Sequence, residues 1–206
     1  MQDDAWIERI SERLLRTPAA MPAESEMKPD WQPDRPFDRP PTAAAVLIGL
    51  VRRPEGLTVL YTERSPDLRS HSGQVSFPGG RIEPGEEPSA AALREANEEV
   101  ALEPSEASVI GYMPVYYTGS NYLITPVVAV IAPSQPFVPN PGEVRSVFEV
   151  PLQWLADEAS YGTFRIKRGE TEHTTWQLDH AGVRIWGITA NLTRRFRDLA
   201  LAAEAA

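Results

Sequence analysis

Apolar residues in this chain form several short, nearly continuous runs. TAAAVLIGLV at 42–51 is almost wholly apolar, which is typical of a strand buried on both faces. LTVLYTE at 57–63 follows the turn sequence RPEG, so these two runs predict a β-hairpin. Similar runs at 108–117, 122–132 and 144–150 predict further strands. Strands therefore dominate the middle of the chain.

Other segments have the spacing of amphipathic helices. One helix is predicted at 3–16 and another at 88–101, where Pro88 suits a first helical position and Pro104 a stop. The closing segment, 183–206, predicts a helix whose apolar residues lie on one stripe. The remaining predicted elements are a short helix at 151–157 and strands at 164–168 and 174–178. The order β-β-loop-α-β-β-β-α-β-β-α indicates an α/β (α+β) fold in which helices pack on a mixed sheet.

Two segments lack any clear periodicity. Residues 17–41 hold seven prolines and read as an extended connector. Residues 64–87 hold four glycines and three prolines, and loops of this length inside compact domains tend to be functional. We therefore expect an N-terminal amphipathic helix and proline-rich connector over 1–41, followed by one globular domain over 42–206.

The composition narrows the classes of function. A net charge of −9 argues against a broadly basic nucleic-acid-binding surface, and the absence of cysteine excludes disulfides and thiolate sites. The first residues do not resemble a secretory signal, and no apolar run approaches the roughly 20 residues that span a bilayer. We expect a cytoplasmic protein that binds neither nucleic acid nor membrane. Trp6 and Trp31 are expected to pack the N-terminal segment onto the core or a second subunit, which leaves a homodimer open.

The predicted helix at 88–101 carries a concentration of carboxylates. At 100° per residue, Glu95, Glu98 and Glu99 fall within a sector of about 100°, away from the apolar face. Like charges at this spacing destabilise a helix, and no Lys or Arg follows three or four residues later. Such a face is either a solvated surface or a metal site, since a divalent cation would turn the repulsion into coordination.

The loop before this helix contains FPGG at 77–80. Gly79 and Gly80 have no side chains, so their backbone can approach a ligand closely. An isolated PGG is usually only a turn. Beside an acidic helix, however, a glycine pair of this kind can hold a metal-bound phosphate.

Residues 80–102, GRIEPGEEPSAAALREANEEVAL, resemble the Nudix box, G-x5-E-x7-R-E-U-x-E-E-x-G-U, in which U is a bulky aliphatic residue. Ala96 is small for the first U position, and Ala101 replaces the second glycine. No metal-binding atom is lost there, so we expect Ala101 to alter the exit of the helix and not the chemistry. The matching residues are Gly80, Glu86, Arg94, Glu95, Glu98, Glu99 and Leu102.

Residues 60–80, LYTERSPDLRSHSGQVSFPGG, resemble the motif L-L-T-x-R-S-x3-R-x3-G-x3-F-P-G-G of coenzyme A pyrophosphatases within the Nudix family. Tyr61 is the only departure from that motif. The later segments LITPVVAVI, EVRSVFEVPL and IWGITANL are also similar to that group, so the resemblance extends over residues 42–200.

The resemblance implies an α/β/α sandwich built on a mixed sheet. It also implies hydrolysis of coenzyme A to 4′-phosphopantetheine and adenosine 3′,5′-bisphosphate, with Mg²⁺ or Mn²⁺ as cofactor. By transfer from the family, Glu95, Glu98 and Glu99 would hold the metal, and the backbone of Gly79 and Gly80 would contribute to the site.

The same transfer assigns roles to residues around the metal. Arg94 would orient a glutamate, and Glu86 would support the junction between loop and helix. Glu95 and Glu98 are candidates for the general base, and a glutamate outside the box, Glu143 or Glu149, is a further candidate.

Arg64 and Arg69 are candidates for binding substrate phosphate, because a guanidinium can bind phosphate through two hydrogen bonds. The alternative for both is a salt bridge within the loop, to Glu63 or Asp67. Three other functions remain open. They are a Nudix enzyme for ADP-ribose, a nucleotide sugar or a damaged nucleotide, a non-catalytic sensor with the same fold, and a Ca²⁺-binding module.

Overall fold

The structure, a computed structural model, describes residues 2–20, 22, 28–29, 37–66, 73–168 and 171–202. Its helices are α1 (Gln2–Arg13), α2 (Pro88–Val100), α3 (Leu152–Ala156) and α4 (Gly187–Phe196), with a π-helical turn (Arg197–Leu201) after α4. Its strands are β1 (Thr42–Val51), β2 (Thr58–Arg64), β3 (Val75–Ser76), β4 (Gly79–Arg81), β5 (Ala107–Tyr112), β6 (Tyr116–Tyr117), β7 (Tyr122–Ile131), β8 (Val144–Pro151), β9 (Gly162–Arg168), β10 (Thr171–His180) and β11 (Val183–Trp186).

A mixed sheet of eight strands forms the centre of the molecule. β1 and β7 lie parallel over their whole length, and the other pairings in this sheet are antiparallel. The order is β3-β2-β1-β7-β5, with β4 paired to β1, β6 to β7 and β8 to β2. A second, antiparallel sheet has the order β11-β10-β9. The mixed sheet is the one that the order of predicted elements indicates.

The main sheet is covered on both faces, as the continuous apolar run at 42–51 predicts. On one face Leu47 packs in a cluster with Ala92 and Ala96 of α2. On the other face Ile48 lies in a larger cluster to which α1, α4 and the second sheet contribute. Leu192 is one of the residues of α4 in that cluster. The arrangement is the layered sandwich that the sequence predicts, with side chains of β1 in both cores.

Pro126 lies inside the central strand β7, where proline is normally unfavourable because it has no N–H to donate. The neighbouring strand is interrupted at this level, since β5 pairs up to Tyr112 and β6 resumes at Tyr116. The carbonyl of Pro126 is still used and accepts a bond of 3.0 Å from the N–H of Met113. This break also divides the strand predicted at 108–117 into two.

Two further expectations about secondary structure were wrong. The segment 64–87 was expected to lack regular structure, yet it contains β3 and β4, and β4 pairs with β1. The closing segment was expected to form only a helix, yet it opens with β11. These strands have two to four residues, too short to show the alternation by which strands are recognised.

Helix α1 packs against the rest of the protein. Ile10 is fully buried, Leu14 nearly so, and Trp6 packs against the same cluster. After the helix, the N–H and C=O of Leu15 both bond to Tyr112 on β5, at 2.9 Å each. The division into an N-terminal segment over 1–41 and a domain over 42–206 remains a proposal. Trp31, which was also expected to pack on the core or a second subunit, lies outside the described residues. No helix in the described part of the chain is long and apolar enough to cross a bilayer.

Candidate active site

Helix α2 is two-faced, as its residue spacing predicts. Ala92, Ala96 and Val100 are fully buried against the sheet, and Pro88 occupies the first turn, where its missing N–H costs nothing. The carboxylates of Glu95 and Glu98 lie on the other side and differ in exposure, at 16% and 50% of the side chain. The helix therefore packs one face on the sheet and turns its acidic residues toward β4 and solvent.

Glu99 is the most buried of the three carboxylates, with 2% of its surface exposed. The N–H of Gly79 donates a bond of 3.3 Å to Glu99 Oε2, and a guanidinium nitrogen of Arg64 lies 3.8 Å from Oε1. Burial raises the pKa of Glu99 to about 8, although these two neighbours favour the charged form. A buried carboxylate with so little compensation is well suited to a cation.

Arg94 binds three of the glutamates in the box. Its Nε and NH2 groups donate to Glu86 at 2.9 and 3.1 Å, and NH1 donates to Glu95 at 2.9 Å and reaches Glu98 at 3.5 Å. Arg94 holds the pKa of Glu86 below its usual value, whereas burial raises that of Glu95. The sequence argument that no cation offsets the repulsion was therefore incomplete, because the arginine precedes the glutamates.

Glu86 supports the loop before α2, as the resemblance implies. Besides the two bonds from Arg94, its carboxylate accepts one of 3.0 Å from the N–H of Glu83. Arg94 also donates to the carbonyl of Arg81 at 3.1 Å, which joins the helix to the end of β4. Three hydrogen bonds from Arg94 thus fix the position of the loop relative to the acidic helix, and the bond between Glu83 and Glu86 holds the loop itself together.

The two glycines of FPGG allow a close approach of backbone to neighbours. An added Cβ at Gly79 would lie 2.4 Å from the carbonyl oxygen of Ala45 on β1. An added Cβ at Gly80 would lie 2.3 Å from Oε1 of Glu95. Gly79 is therefore needed for strand pairing, while Gly80 leaves the space that the carboxylate of Glu95 occupies.

A cavity of about 650 Å³ opens beside these residues. Arg64, Gly79, Gly80, Glu95 and Glu99 all line it, so five of the predicted site residues meet at one place. Glu98 and Arg94 are not part of the lining. Arg69 lies outside the described residues. The remaining lining residues are Ala44, Val46, Gln74, Val75, Ser76, Phe77, Arg81, Thr118, Ser120, Tyr122, Ile124, Glu143, Ile188, Thr189 and Leu192.

Arg64 faces the carboxylates and not its neighbour in sequence. Glu63, one of the alternative partners, instead accepts bonds from Arg145 at 3.2 Å and Ser146 at 2.8 Å. The Nε of Arg64 is buried, and within the described residues it has no hydrogen-bond partner. A partly buried guanidinium whose Nε has no partner, beside an acidic cavity, can bind an anion.

Of the two glutamates outside the box, only Glu143 lines the cavity. Its negative charge contributes to the raised pKa of both Glu95 and Glu99. Glu149 is held elsewhere, by Arg53 at 2.6 and 3.0 Å and by Thr58, and its pKa is lowered even though its burial acts to raise it. Of these two glutamates, the geometry therefore favours Glu143 as a member of the site.

Sequence reasoning missed the residues that α4 brings to the cavity. Ile188, Thr189 and Leu192 belong to its lining, although they follow the box by about ninety positions in the numbering. The apolar stripe that the sequence predicts for this helix contains Leu192, Phe196, Leu199 and Ala200, and Ile188 and Thr189 are not part of it. Nothing in that pattern distinguishes the wall of a cavity from the core.

The helix exit at Ala101 differs from expectation. Ala101 has φ 55° and ψ 34°, the left-handed conformation that glycine would adopt, and its N–H bonds to the carbonyl of Asn97 at 2.9 Å. The N–H of Leu102 then reaches the carbonyl of Ala96 at 3.4 Å, which completes a glycine-type cap. The expectation that alanine changes the exit was therefore wrong.

The carboxylates are not arranged as a ready metal cage. Across the described residues, no group of three or more His, Cys, Asp or Glu side chains is positioned to hold a metal ion. Glu95 is directed to Arg94, and Glu99 to Gly79 and Arg64. The donors nevertheless suit a hard cation, since Glu95, Glu99 and Glu143 present oxygen ligands to one cavity and Gly80 leaves room beside them.

Comparison with known proteins gives a consistent result. The model of the NUDIX domain matches residues 40–168. The chain is 44% identical over 160 residues to the uncharacterized Nudix hydrolase NudL of Escherichia coli strain K12, over 77% of this chain and 81% of that protein. NudL of Escherichia fergusonii matches with the same identity and coverage. The crystal structure of RenU, a Nudix hydrolase from M. smegmatis, has a TM-score of 0.54 at 23% identity, covering 78% of this chain and 86% of that one, and shares the fold.

Proposed function

Since this chain belongs to the Nudix family and is a pyrophosphohydrolase acting on a nucleoside diphosphate derivative, we propose that this derivative is coenzyme A. Cleavage between the two phosphates would yield 4′-phosphopantetheine and adenosine 3′,5′-bisphosphate. Water supplies the oxygen that bonds to the attacked phosphorus, and the other phosphate leaves with the bridging oxygen.

One observation supports this substrate above the rest. The segment 60–80 resembles the motif of coenzyme A pyrophosphatases, and several of its described residues line the cavity that Glu95 and Glu99 also line. Arg64, Phe77 and the glycine pair of that segment are all in the lining. The residues that would select the substrate thus lie next to those that would cleave it.

Nudix hydrolases generally need a divalent cation, and the donor set here suits Mg²⁺ or Mn²⁺. We propose that Glu95 and Glu99 hold it from inside the cavity. Glu98 belongs to the proposed set because Arg94 NH1 contacts both Glu95 and Glu98, which keeps the two carboxylates together. When bound, the cation would neutralise charge on the diphosphate as it is attacked.

The side chains around the cation would position the substrate and the attacking water. Arg64 would donate to a phosphate through its guanidinium, whose buried Nε has no partner among the described residues. Arg69, which lies outside the described residues, is proposed for the same role. Arg94 would keep Glu95 in place. Glu143 would accept a proton from the water, since it reaches the cavity without being held by an arginine in the described contacts. Glu95 and Glu98 remain the other candidates for this base.

Product analysis on coenzyme A tests the proposal. The enzyme with Mg²⁺ or Mn²⁺ should release both products, and chelator should stop the reaction. Glu99→Gln should abolish turnover with the fold intact, because the isosteric amide cannot carry the charge that a cation requires. Dephospho-coenzyme A, ADP-ribose and a nucleotide sugar complete the panel. Faster cleavage of either of the last two than of coenzyme A would reject the proposed substrate.

The activities of arginine variants on coenzyme A and dephospho-coenzyme A test which arginine binds the 3′-phosphate. If Arg69 binds that phosphate, Arg69→Ala should lose activity on coenzyme A and retain it on dephospho-coenzyme A. An equal loss on both substrates would exclude the role. The same pair of substrates applied to Arg64→Ala shows whether Arg64 binds the diphosphate, in which case both reactions should slow together.

A further inference from the structure

The cavity has a charged part and an apolar part. Arg64 lies 3.8 Å from Glu99, and Glu95 and Glu143 act electrostatically on the same carboxylate, so these four charges form one group. Helix α4 contributes Ile188, Thr189 and Leu192, none of them charged. Val46 and Ile124 of the central strands are further apolar residues of the lining.

Helix α4 directs its own cations away from the cavity. Arg194 donates to Glu158 at 2.7 Å and to Asp198 at 2.8 Å, and its guanidinium lies over Trp176. Arg195 lies over the ring of Tyr116, 5.0 Å from its centre. Both arginines follow the cavity-lining residues of α4 closely in sequence, and neither of them lines the cavity. The lack of charge on this wall is thus a property of its orientation.

The orientation of α4 is held by buried hydrogen bonds. Thr189 donates to the carbonyl of Val75 on β3 at 2.7 Å, and Thr193 donates to the carbonyl of Thr189 at 2.8 Å. The hydroxyl of Thr193 also meets that of Tyr61 at 3.0 Å, and Tyr61 stacks on Phe77 of the FPGG segment. The helix is therefore hydrogen-bonded to the segment that contains FPGG, which forms a neighbouring part of the lining.

The chemistry of the wall restricts what can lie against it. A second sugar would bring several hydroxyl groups, and hydroxyls placed against isoleucine and leucine without partners are costly to desolvate. A flexible chain of methyl and methylene groups with a few amides would bury apolar surface there instead. The diphosphate must lie at the charged part, because that is where the cation ligands and Arg64 are.

We propose that Ile188, backed by the buried Leu192, forms the binding surface for the uncharged arm attached to the second phosphate of the substrate, and that this surface selects an amide-bearing chain over a second sugar. The proposal rests on the proposed function, since it assigns one half of coenzyme A to α4.

Each product of the proposed reaction contains one half of the substrate, so the affinity of the enzyme for each product tests the assignment. The dissociation constants of 4′-phosphopantetheine and adenosine 3′,5′-bisphosphate are measured by titration calorimetry in the presence of Mg²⁺, for wild type and for Ile188→Ser. Ile188 is only partly buried and lies in the first turn of α4, so the variant should fold. Leu199→Ser is the matched control, since Leu199 is a partly buried apolar residue after α4 that is absent from the cavity lining.

For Ile188→Ser we expect the dissociation constant of 4′-phosphopantetheine to rise about tenfold, with that of adenosine 3′,5′-bisphosphate unchanged. Leu199→Ser should change neither. An effect on the bisphosphate alone would place the nucleoside on α4 and overturn the inference, as would no effect on either product. Failure of the wild type to cleave coenzyme A would reject the proposed function and this inference together. Cleavage without the expected selective loss would reject only the inference.

Discussion

Gly80→Ala tests whether the position of the Glu95 carboxylate controls the reaction. The new Cβ would lie 2.3 Å from Oε1 and 2.4 Å from Cδ of Glu95, whereas ordinary contacts begin at 3.4 Å. The carboxylate must therefore retreat by about 1 Å, a displacement that can cost on the order of 100-fold in rate. Such a loss corresponds to about 2.7 kcal/mol of activation free energy.

The fold should survive this change. Gly80 does not need a left-handed backbone, and the obstructing atoms are the end of a flexible side chain rather than backbone. We expect the free energy of unfolding to change by less than about 1 kcal/mol. Gly79→Ala should behave differently, because its Cβ would meet the backbone of Ala45 and Val46, and it should destabilise the protein.

Steady-state kinetics on coenzyme A and urea unfolding measure the two effects separately. Gly162→Ala is the matched control, since Gly162 also lies in a strand and its added Cβ would make only ordinary contacts of 3.6 Å. It should retain both activity and stability. If Gly80→Ala folds normally and keeps the kcat of the wild type, the position of Glu95 does not limit the rate, and the reasoning from the clearance at Gly80 is refuted.

Three further substitutions follow from the geometry. Ala101→Gly should raise the free energy of unfolding by about 0.5–1 kcal/mol, because an alanine at φ 55° bears a steric cost that glycine avoids. Urea unfolding measures this free energy, and an unchanged value would argue against the left-handed cap. Glu143→Gln should lower kcat on coenzyme A by about 100-fold, and wild-type kcat would remove it as the base. Glu149→Gln should instead lower the free energy of unfolding by about 1–3 kcal/mol at unchanged kcat, because it disrupts the bonds to Arg53 and Thr58. A large loss of kcat would contradict the placement of Glu149 outside the cavity.

Much of the fold could be predicted from local pattern alone. The run at 42–51 shows burial on both faces because both faces of β1 are in fact covered, and the spacing of α2 shows which side packs on the sheet. Where the pattern failed, the elements were short and depended on contacts distant in sequence. β4 has three residues and forms because it pairs with β1, which no local periodicity records.

The site was predictable where one element contains its parts. The contact from Arg94 to Glu98 has a spacing of four residues on one helix, so the sequence alone could have shown it. The contact from Arg94 to Glu86 required the loop to fold back on the helix, and the resemblance to a known motif, not the spacing, pointed to it. The α4 wall of the cavity had no comparable motif and was missed.

The difference between Glu98 and Glu99 shows why a helical projection could not complete the site. The two residues are adjacent and fall in the same acidic sector, yet one is half exposed and the other almost fully buried. The carboxylate of Glu99 meets the N–H of Gly79 and the guanidinium of Arg64, which are distant in sequence. A chain segment some forty residues later contacts the same end of the helix: the N–H of Val138 bonds to the carbonyl of Val100 at 3.0 Å, and that of Asn140 to the carbonyl of Glu99 at 2.9 Å. These bonds satisfy free carbonyls at the end of the helix.

The same segment then brings Glu143 to the cavity. The N–H of Glu143 bonds to the carbonyl of Asn140 at 3.0 Å, and its own carbonyl accepts a bond of 2.8 Å from the N–H of Ser65, next to Arg64. One stretch of backbone therefore bonds to the main chain of Glu99, positions Glu143 and is hydrogen-bonded to the segment 60–80 at Ser65. The exposure of each carboxylate, and hence its suitability for a cation or a proton, is decided by tertiary contacts and not by its place on the helix.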